Sequence, residues 1–357
     1  MSRETTETIS KATRALIKSL PADVARLMNR PDIRRASAVL LYLDRVEELR
    51  TENPSVALSL AETGRSLASK LRFCKPARRR EVLAKSFMVS GGIARTLADH
   101  DFADAAYICA YRLLRPQNDP ENPLMVELMG RWAFLRRDQR QFKAARTFAE
   151  HGLALARRNG DRRLIGRSLV HLANSVIYDK PEQAVPLLRE ALKSLDRRKD
   201  QSYAFAAFQA LGVALCESDG GDPKEILTIA EAALSLATGR ANFLQCLWLS
   251  GRAYERLGQL EEAAERVETA REGLDALGLV TYAAAASLDS AAIHLRLDNK
   301  SRTRVIARQA YDLFKVMNLE REALSAFTLF KRALLRNELT LDVITTLRKH
   351  IQPGGRR

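Results

Sequence analysis

Residues 250–270 read SGRAYERLGQLEEAAERVETA, and their spacing decides the fold. Gly251 is followed by Tyr254 three places on, Gly258 at seven, Ala263 at twelve, Val267 at sixteen and Ala270 at nineteen. Ala263, Val267 and Ala270 share one face of a helix, because positions four and three apart stack along a 3.6-residue turn. Small residues on that face let two helix axes approach to about 8 Å, the close end of the packing range. The polar stretch RLGQLEEA (256–263), with a glycine inside it, interrupts the helical pattern between Tyr254 and Ala263. The stretch is therefore predicted to be a helical hairpin with a tight crossing.

The same trio recurs along the chain. It is read as Ala57–Ala61–Gly64, Ala105–Cys109–Arg112, Ala145–Ala149–Gly152, Ala184–Leu188–Ala191, Ile226–Ala230–Ala233 and Thr303–Ala307–Ala310. Successive first members, with Ala263 in its place, lie 48, 40, 39, 42, 37 and 40 residues apart. A step near forty without strand signals means stacked helical hairpins, about seven of them. Between the paired helices run polar turns such as ADHDFADA (98–105), SDGGDPKE (218–225) and RLDNKSRT (296–303), whose Asp, Asn, Gly and Pro residues start turns and cap helices. Aromatics are 6% of the chain, and its apolar positions are dominated by Ala and Leu, which lose least on entering a helix. The expected class is all-α.

Gly251, Tyr254, Gly258, Ala263, Val267 and Ala270 together resemble the tetratricopeptide repeat (TPR). The match is best at 244–275 and weaker elsewhere: Leu172 and Ala214 stand where the first glycine would be, and Arg112 replaces the last small residue. The step exceeds the roughly thirty-four residues of the standard motif. In this it resembles the regulatory TPR domains of MalT-like bacterial transcription activators and peptide-sensing regulators. The resemblance, over about residues 35 to 335, implies a right-handed α-solenoid that holds a peptide or protein in the concave groove lined by its first helices. The expected organisation is an N-terminal helical cap (1–35, with Pro21 and Pro31 at helix starts), a solenoid (36–336), a C-terminal capping helix (337–352) and a flexible tail (353–357).

Charge is uneven. The chain carries +15 overall, yet residues 201–300 hold 8 basic and 14 acidic side chains, while residues 301–357 hold 12 basic and 5 acidic. Such a patchy surface suits oriented recognition or association into a homo-oligomer more than uniform attraction to a polyanion. The four cysteines (Cys74, Cys109, Cys216, Cys246) stand alone, as expected in a reducing cytoplasm. No run approaches the roughly 18 apolar residues of a membrane span, and the N-terminal twenty residues lack the apolar core of a secretory signal.

Nothing in the sequence is arranged for catalysis. The histidines have no second His or Cys at helical ligand spacing, and no nucleophile elbow, phosphate loop or dinucleotide fingerprint is present. The Ser90–Gly91–Gly92 step lies in an apolar helical pattern and reads as close packing, and the SDGGDP stretch reads as a turn. The expectation is a non-catalytic interaction module, a scaffold or regulatory adaptor, with no cofactor and no metal. Candidate groove residues fall in three stripes: Glu127, Arg131 and Phe134; Arg167, His171 and Asn174; and Asn242, Gln245, Trp248, Arg252 and Glu255. The third combines an aromatic platform with polar ends, and Trp and Arg are enriched at binding hot spots. The rival reading is nucleic-acid binding through KPARRRE (75–81) and ARRNGDRRLIGR (156–167), basic clusters without interleaved aromatics.

Overall fold

The computed structural model describes residues 36–51, 54–71, 74–97, 99–115, 122–139, 141–177, 179–218, 220–316 and 321–351. The expected N-terminal cap and the C-terminal tail lie outside the described residues. Among these residues there are sixteen α-helices and no strand. The chain divides into two compact units, residues 1–160 and 161–357.

The first unit holds three hairpins: α1 (Ala36–Glu48) with α2 (Pro54–Ser69), α3 (Pro76–Thr96) with α4 (His100–Leu114), and α5 (Pro123–Asp138) with α6 (Phe142–Asn159). Each first helix packs on its own second helix, and α1, α3 and α5 pack on one another in turn. The second unit holds four more: α7 (Arg162–Val176) with α8 (Pro181–Ser194), α9 (Gln201–Glu217) with α10 (Pro223–Leu234), α11 (Gly239–Arg256) with α12 (Leu260–Ala276), and α13 (Val280–Arg296) with α14 (Lys300–Val316). Here α7, α9, α11 and α13 follow one another along one face. Two last helices, α15 (Arg321–Arg336) and α16 (Leu341–Ile351), close the order. The fold is the predicted all-α solenoid type, with seven hairpins among the described residues.

Local chemistry sets the boundaries. Pro54, Pro76, Pro123, Pro181 and Pro223 each open a helix, where the missing N–H costs no bond. Asp99, Asn122, Asp161 and Asp222 accept hydrogen bonds from the first-turn amides of α4, α5, α7 and α10. The SDGGDP stretch accordingly ends in a helix cap.

The opening hairpin forms as its spacing predicts. A Cβ on Gly251 would stand 2.5 Å from Val267 Cγ2 and 3.3 Å from the Ala263 carbonyl oxygen, so only glycine admits this approach of α11 to α12. Gly258 turns the chain between them at φ +77°, a left-handed conformation that glycine adopts without strain. Ala263, Val267 and Ala270 are all fully buried.

One trio needs correction. Ala105 and Arg112 are exposed and Cys109 is half-buried, whereas Ala103, Tyr107 and Ala110 are buried completely. The repeat in α4 therefore sits two residues earlier than its small-residue spacing suggested. Its first glycine is Gly91, twelve residues before Ala103 as Gly251 is before Ala263. A Cβ on Gly91 would meet the Tyr107 ring at 2.5 Å and the Ala103 carbonyl oxygen at 3.2 Å. A bulky Tyr occupies the central position, so a search for small residues slid past it. The Ser90–Gly91–Gly92 step is thus a packing feature, as expected.

The C-terminal helix α16 packs on α13, the first helix of the seventh hairpin, and on α15. Ile344 and Leu347 are buried in the cluster that contains Ala284, Leu288 and Ala291 of α13. This brings α16 onto the first-helix side of the second unit.

A candidate binding face on the first helices

All three candidate stripes lie on first helices, and in each the charged members are already paired. On α5, Glu127 accepts from Lys85 Nζ of α3 at 2.9 Å and from Arg131 Nη2 at 2.6 Å. Arg131 also donates to Glu47 of α1 at 2.8 Å and to the Met88 carbonyl at 3.2 Å. Burial alone would raise the Glu127 pKa, but Lys85 and Arg131 outweigh it and hold the carboxyl well below its usual range. Two acids thus meet two bases across three successive first helices. Phe134 lies between two guanidinium groups, Arg95 at 5.5 Å and Arg137 at 4.9 Å from its ring centroid.

On α7, Arg167 donates to Asp200 at 2.9 Å and stands 5.0 Å over the Tyr203 ring. Arg163 donates to the same carboxylate at 2.7 and 2.9 Å. Burial pushes the Asp200 pKa up, but hydrogen bonds from Arg163 and Arg167 prevail and bring it down to about 2. His171 is buried edge-on to Tyr203 at 5.7 Å, and Asn174 donates to the Val170 carbonyl of its own helix. Arg163 and Arg167, from the second basic cluster, are therefore engaged with Asp200. In the first cluster, Arg78 pairs with Glu81 at 2.7 Å and Arg79 donates to the Ser69 carbonyl.

The third stripe is the richest. Asn242, Gln245 and Trp248 are half-buried on α11, and the Gln245 carbonyl accepts from Gln209 Nε2 of α9 at 3.3 Å. Trp248 Nε1 donates to Asp289 Oδ2 of α13 at 2.8 Å. Arg252, only 6% exposed, donates to Glu217 of α9 at 2.6 Å and lies 3.7 Å from Asp289. Burial would lower the Arg252 pKa, yet Cys216, Glu217 and Asp289 beside it raise it. Glu255 faces Arg296 at 3.3 Å, and burial together with Asp289 raises its pKa.

Into this cluster comes Arg348 from α16. Its Nε lies 2.9 Å from Asp289 Oδ1 and its Nη2 3.5 Å from Glu217 Oε1. Three acids from three successive hairpins, Glu217, Glu255 and Asp289, therefore share one face with Trp248. The charge of Arg252, a candidate groove residue, is met by Glu217 and Asp289.

Sequence reasoning passed over Glu217, Asp289 and Arg348. Asp289 did leave a signal: it is the lone charge in AAAASLDSAAI (283–293), on a helix otherwise apolar there. A carboxylate on such a helix needs a buried partner. Nothing in the sequence says that the partners are Trp248, Arg252 and Arg348. Among the described residues, no cluster of His, Cys, Asp and Glu could hold a metal ion, and no helix is long and apolar enough to cross a membrane.

Comparison with known proteins bears on the fold. No family model matches the sequence, and no curated protein matches it. Solved structures do. A Rap protein complexed with competence and sporulation factor superposes with a TM-score of 0.62 at 14% identity, covering 89% of this chain and 88% of that one. The apo form of the quorum sensor NprR from B. thuringiensis gives 0.54 at 15% identity, covering 84% and 82%. A STAND signal-transduction ATPase with a tetratricopeptide repeat sensor, from Pyrococcus horikoshii, gives 0.55 at 13% identity, covering 99% of this chain and 53% of that one. The chain has the fold of a TPR-like helical repeat protein.

Proposed function

We propose that this protein is a non-catalytic protein-interaction module that binds a peptide or protein segment on the first-helix face of its second unit and serves as a regulatory adaptor. The observation that carries this reading is the convergence of Glu217, Glu255 and Asp289 with Trp248 on that face. Repeats need such residues neither for helix formation nor for the Ala-rich crossings, and aromatic groups beside charged ones suit recognition. The likeness in fold to a Rap protein bound to a signalling factor, and to a quorum sensor, agrees with a peptide partner.

The test is selection from a random peptide library on the purified protein. Enriched peptides whose binding is lost in Asp289→Asn, with the helical circular dichroism unchanged, support the reading. No enrichment, or binding indifferent to Asp289, overturns it. The nucleic-acid alternative is checked on the same protein: counterion release makes such binding fall steeply with salt, and sub-micromolar affinity for DNA or RNA at about 150 mM salt would make it the leading one.

A further inference from the structure

We infer that α16 is an internal occupant of this face, and that the site it fills is a receptor for an arginine carried on an apolar helical segment. The inference rests on the proposed binding face and names the chemistry of its ligand. Arg348 reaches acids on α9 and α13, the first helices of two different hairpins, which a helix merely covering apolar surface has no need to do. Its apolar anchor is short: of residues 341–348, only Ile344 and Leu347 are buried, with Val343 packed beside them.

The fit of Arg348 is loose compared with the contacts around it. Trp248 and Arg252 hold Asp289 and Glu217 with hydrogen bonds of 2.8 and 2.6 Å. Arg348 Nε and Nη2, and Asp289 Oδ1 facing them, are buried without a hydrogen bond of good geometry among the described residues, although the charges lie within ion-pair distance. Asp289 is only 1% exposed, so this acceptor is shut from water and open only to the guanidinium. When Arg348 leaves, Glu217, Glu255 and Asp289 keep Arg252, Arg256 and Arg296 near them, and Asp289 Oδ1 loses the guanidinium that faces it. An arginine from a partner that aligns with Asp289 Oδ1 replaces a poor contact with a charge-assisted bond. A lysine offers one point charge and cannot span Asp289 and Glu217 as the planar fork does. The binding face is thus closed in cis, and an arginine-bearing segment opens it by displacing α16.

The probe is a fluorescently labelled peptide copying residues 338–351, ELTLDVITTLRKHI, with a control in which the residue matching Arg348 is Gln. Titrated into the full chain, the arginine peptide is expected to bind Arg348→Ala about threefold to fivefold more tightly than the unaltered protein. The Gln peptide should lose that gain, and adding Asp289→Asn to Arg348→Ala should abolish it. Equal affinity for altered and unaltered chains, or a gain kept by the Gln peptide, overturns the proposal, as does peptide-free dimerisation of Arg348→Ala by exchange of α16. Hydrogen exchange on the unaltered chain needs no variant to fold. Amides of α16 should exchange faster than those of α13 and faster still with excess peptide, and equal protection with no response overturns the proposal. The two readings fail separately: selected peptides that bind equally with and without Arg348 leave the binding face standing and remove the occupant. Absence of any peptide binding, to the unaltered chain or to Arg348→Ala, removes the binding face and the occupant with it.

Discussion

The two units solve the same problem of charge on their first helices in different ways. In the first unit, Asp44, Glu47, Lys85, Glu127 and Arg131 come from α1, α3 and α5, and Arg50 in the turn directly after α1 balances them. In the second, Glu217, Glu255 and Asp289 meet Arg252 and Arg296 on the corresponding helices, and a further guanidinium, that of Arg348, comes from α16. A network closed among packed helices fixes the stacking of neighbouring repeats. One that borrows its last charge from a terminal helix can be opened without disturbing the stack. Under the proposed function, this difference favours the second unit over the first as the place where a partner acts.

The largest effect should come from breaking the closed network. Glu127→Ala leaves Lys85 and Arg131 with Glu47 as their main counter-charge, and loss of one partner from a buried ion set costs about 3–5 kcal/mol. Urea unfolding should register it, and a change below about 1 kcal/mol would mean that the network does not hold the first unit together.

The pH dependence of Asp200 comes next. Its folded pKa of about 2 lies below the ordinary 3.8, so its contribution is present above pH ~4 and is lost as pH falls from there towards 2. The shift corresponds to about 2 kcal/mol. Acid unfolding followed by circular dichroism should lose that component in Asp200→Asn, and an unchanged profile would show that Arg163 and Arg167 do not stabilise through it.

The corrected register in α4 gives a paired test. Ala103→Leu should destabilise by about 1–3 kcal/mol through overpacking against α3, whereas Ala105→Leu, on the exposed side, should change stability by less than about 0.5 kcal/mol. Equal effects would return the repeat to its uncorrected register.

The smallest stability effect is expected at Arg348. Asp289 keeps Trp248 and Arg252, and the Arg348 side chain is 23% exposed, so Arg348→Ala should cost about 1 kcal/mol or less. A loss as large as that of Glu127→Ala would make the two units equivalent and α16 an integral part of the second.

How far the site could be read in advance varies by residue. Trp248, Arg252 and Glu255 stood out because an aromatic, a base and an acid share one side of α11 at helical spacing. Their helix and their face followed from the repeat. Their electrostatic state did not, because an arginine reads the same whether its partner is solvent, a ligand or Glu217, thirty-five positions away. The register slip in α4 has a similar origin. Helix packing requires that a surface fit its neighbour, and Tyr107 fits because Gly91 opposite it has no side chain.

What the sequence determined by itself was the local and periodic part of this protein. Ala and Leu content, proline and Asx residues at helix starts, and a step near forty specify hairpins, since each depends on residues within a few turns of one another. Tertiary structure alone decided where the chain's last helix goes and which charges meet. Those pairings join positions as far apart as Glu217 and Arg348, whose encounter follows from the stacking of α9, α11 and α13 and the docking of α16 upon them. Electrostatic energy depends on distance in space and on burial, and neither is written in the spacing of a sequence.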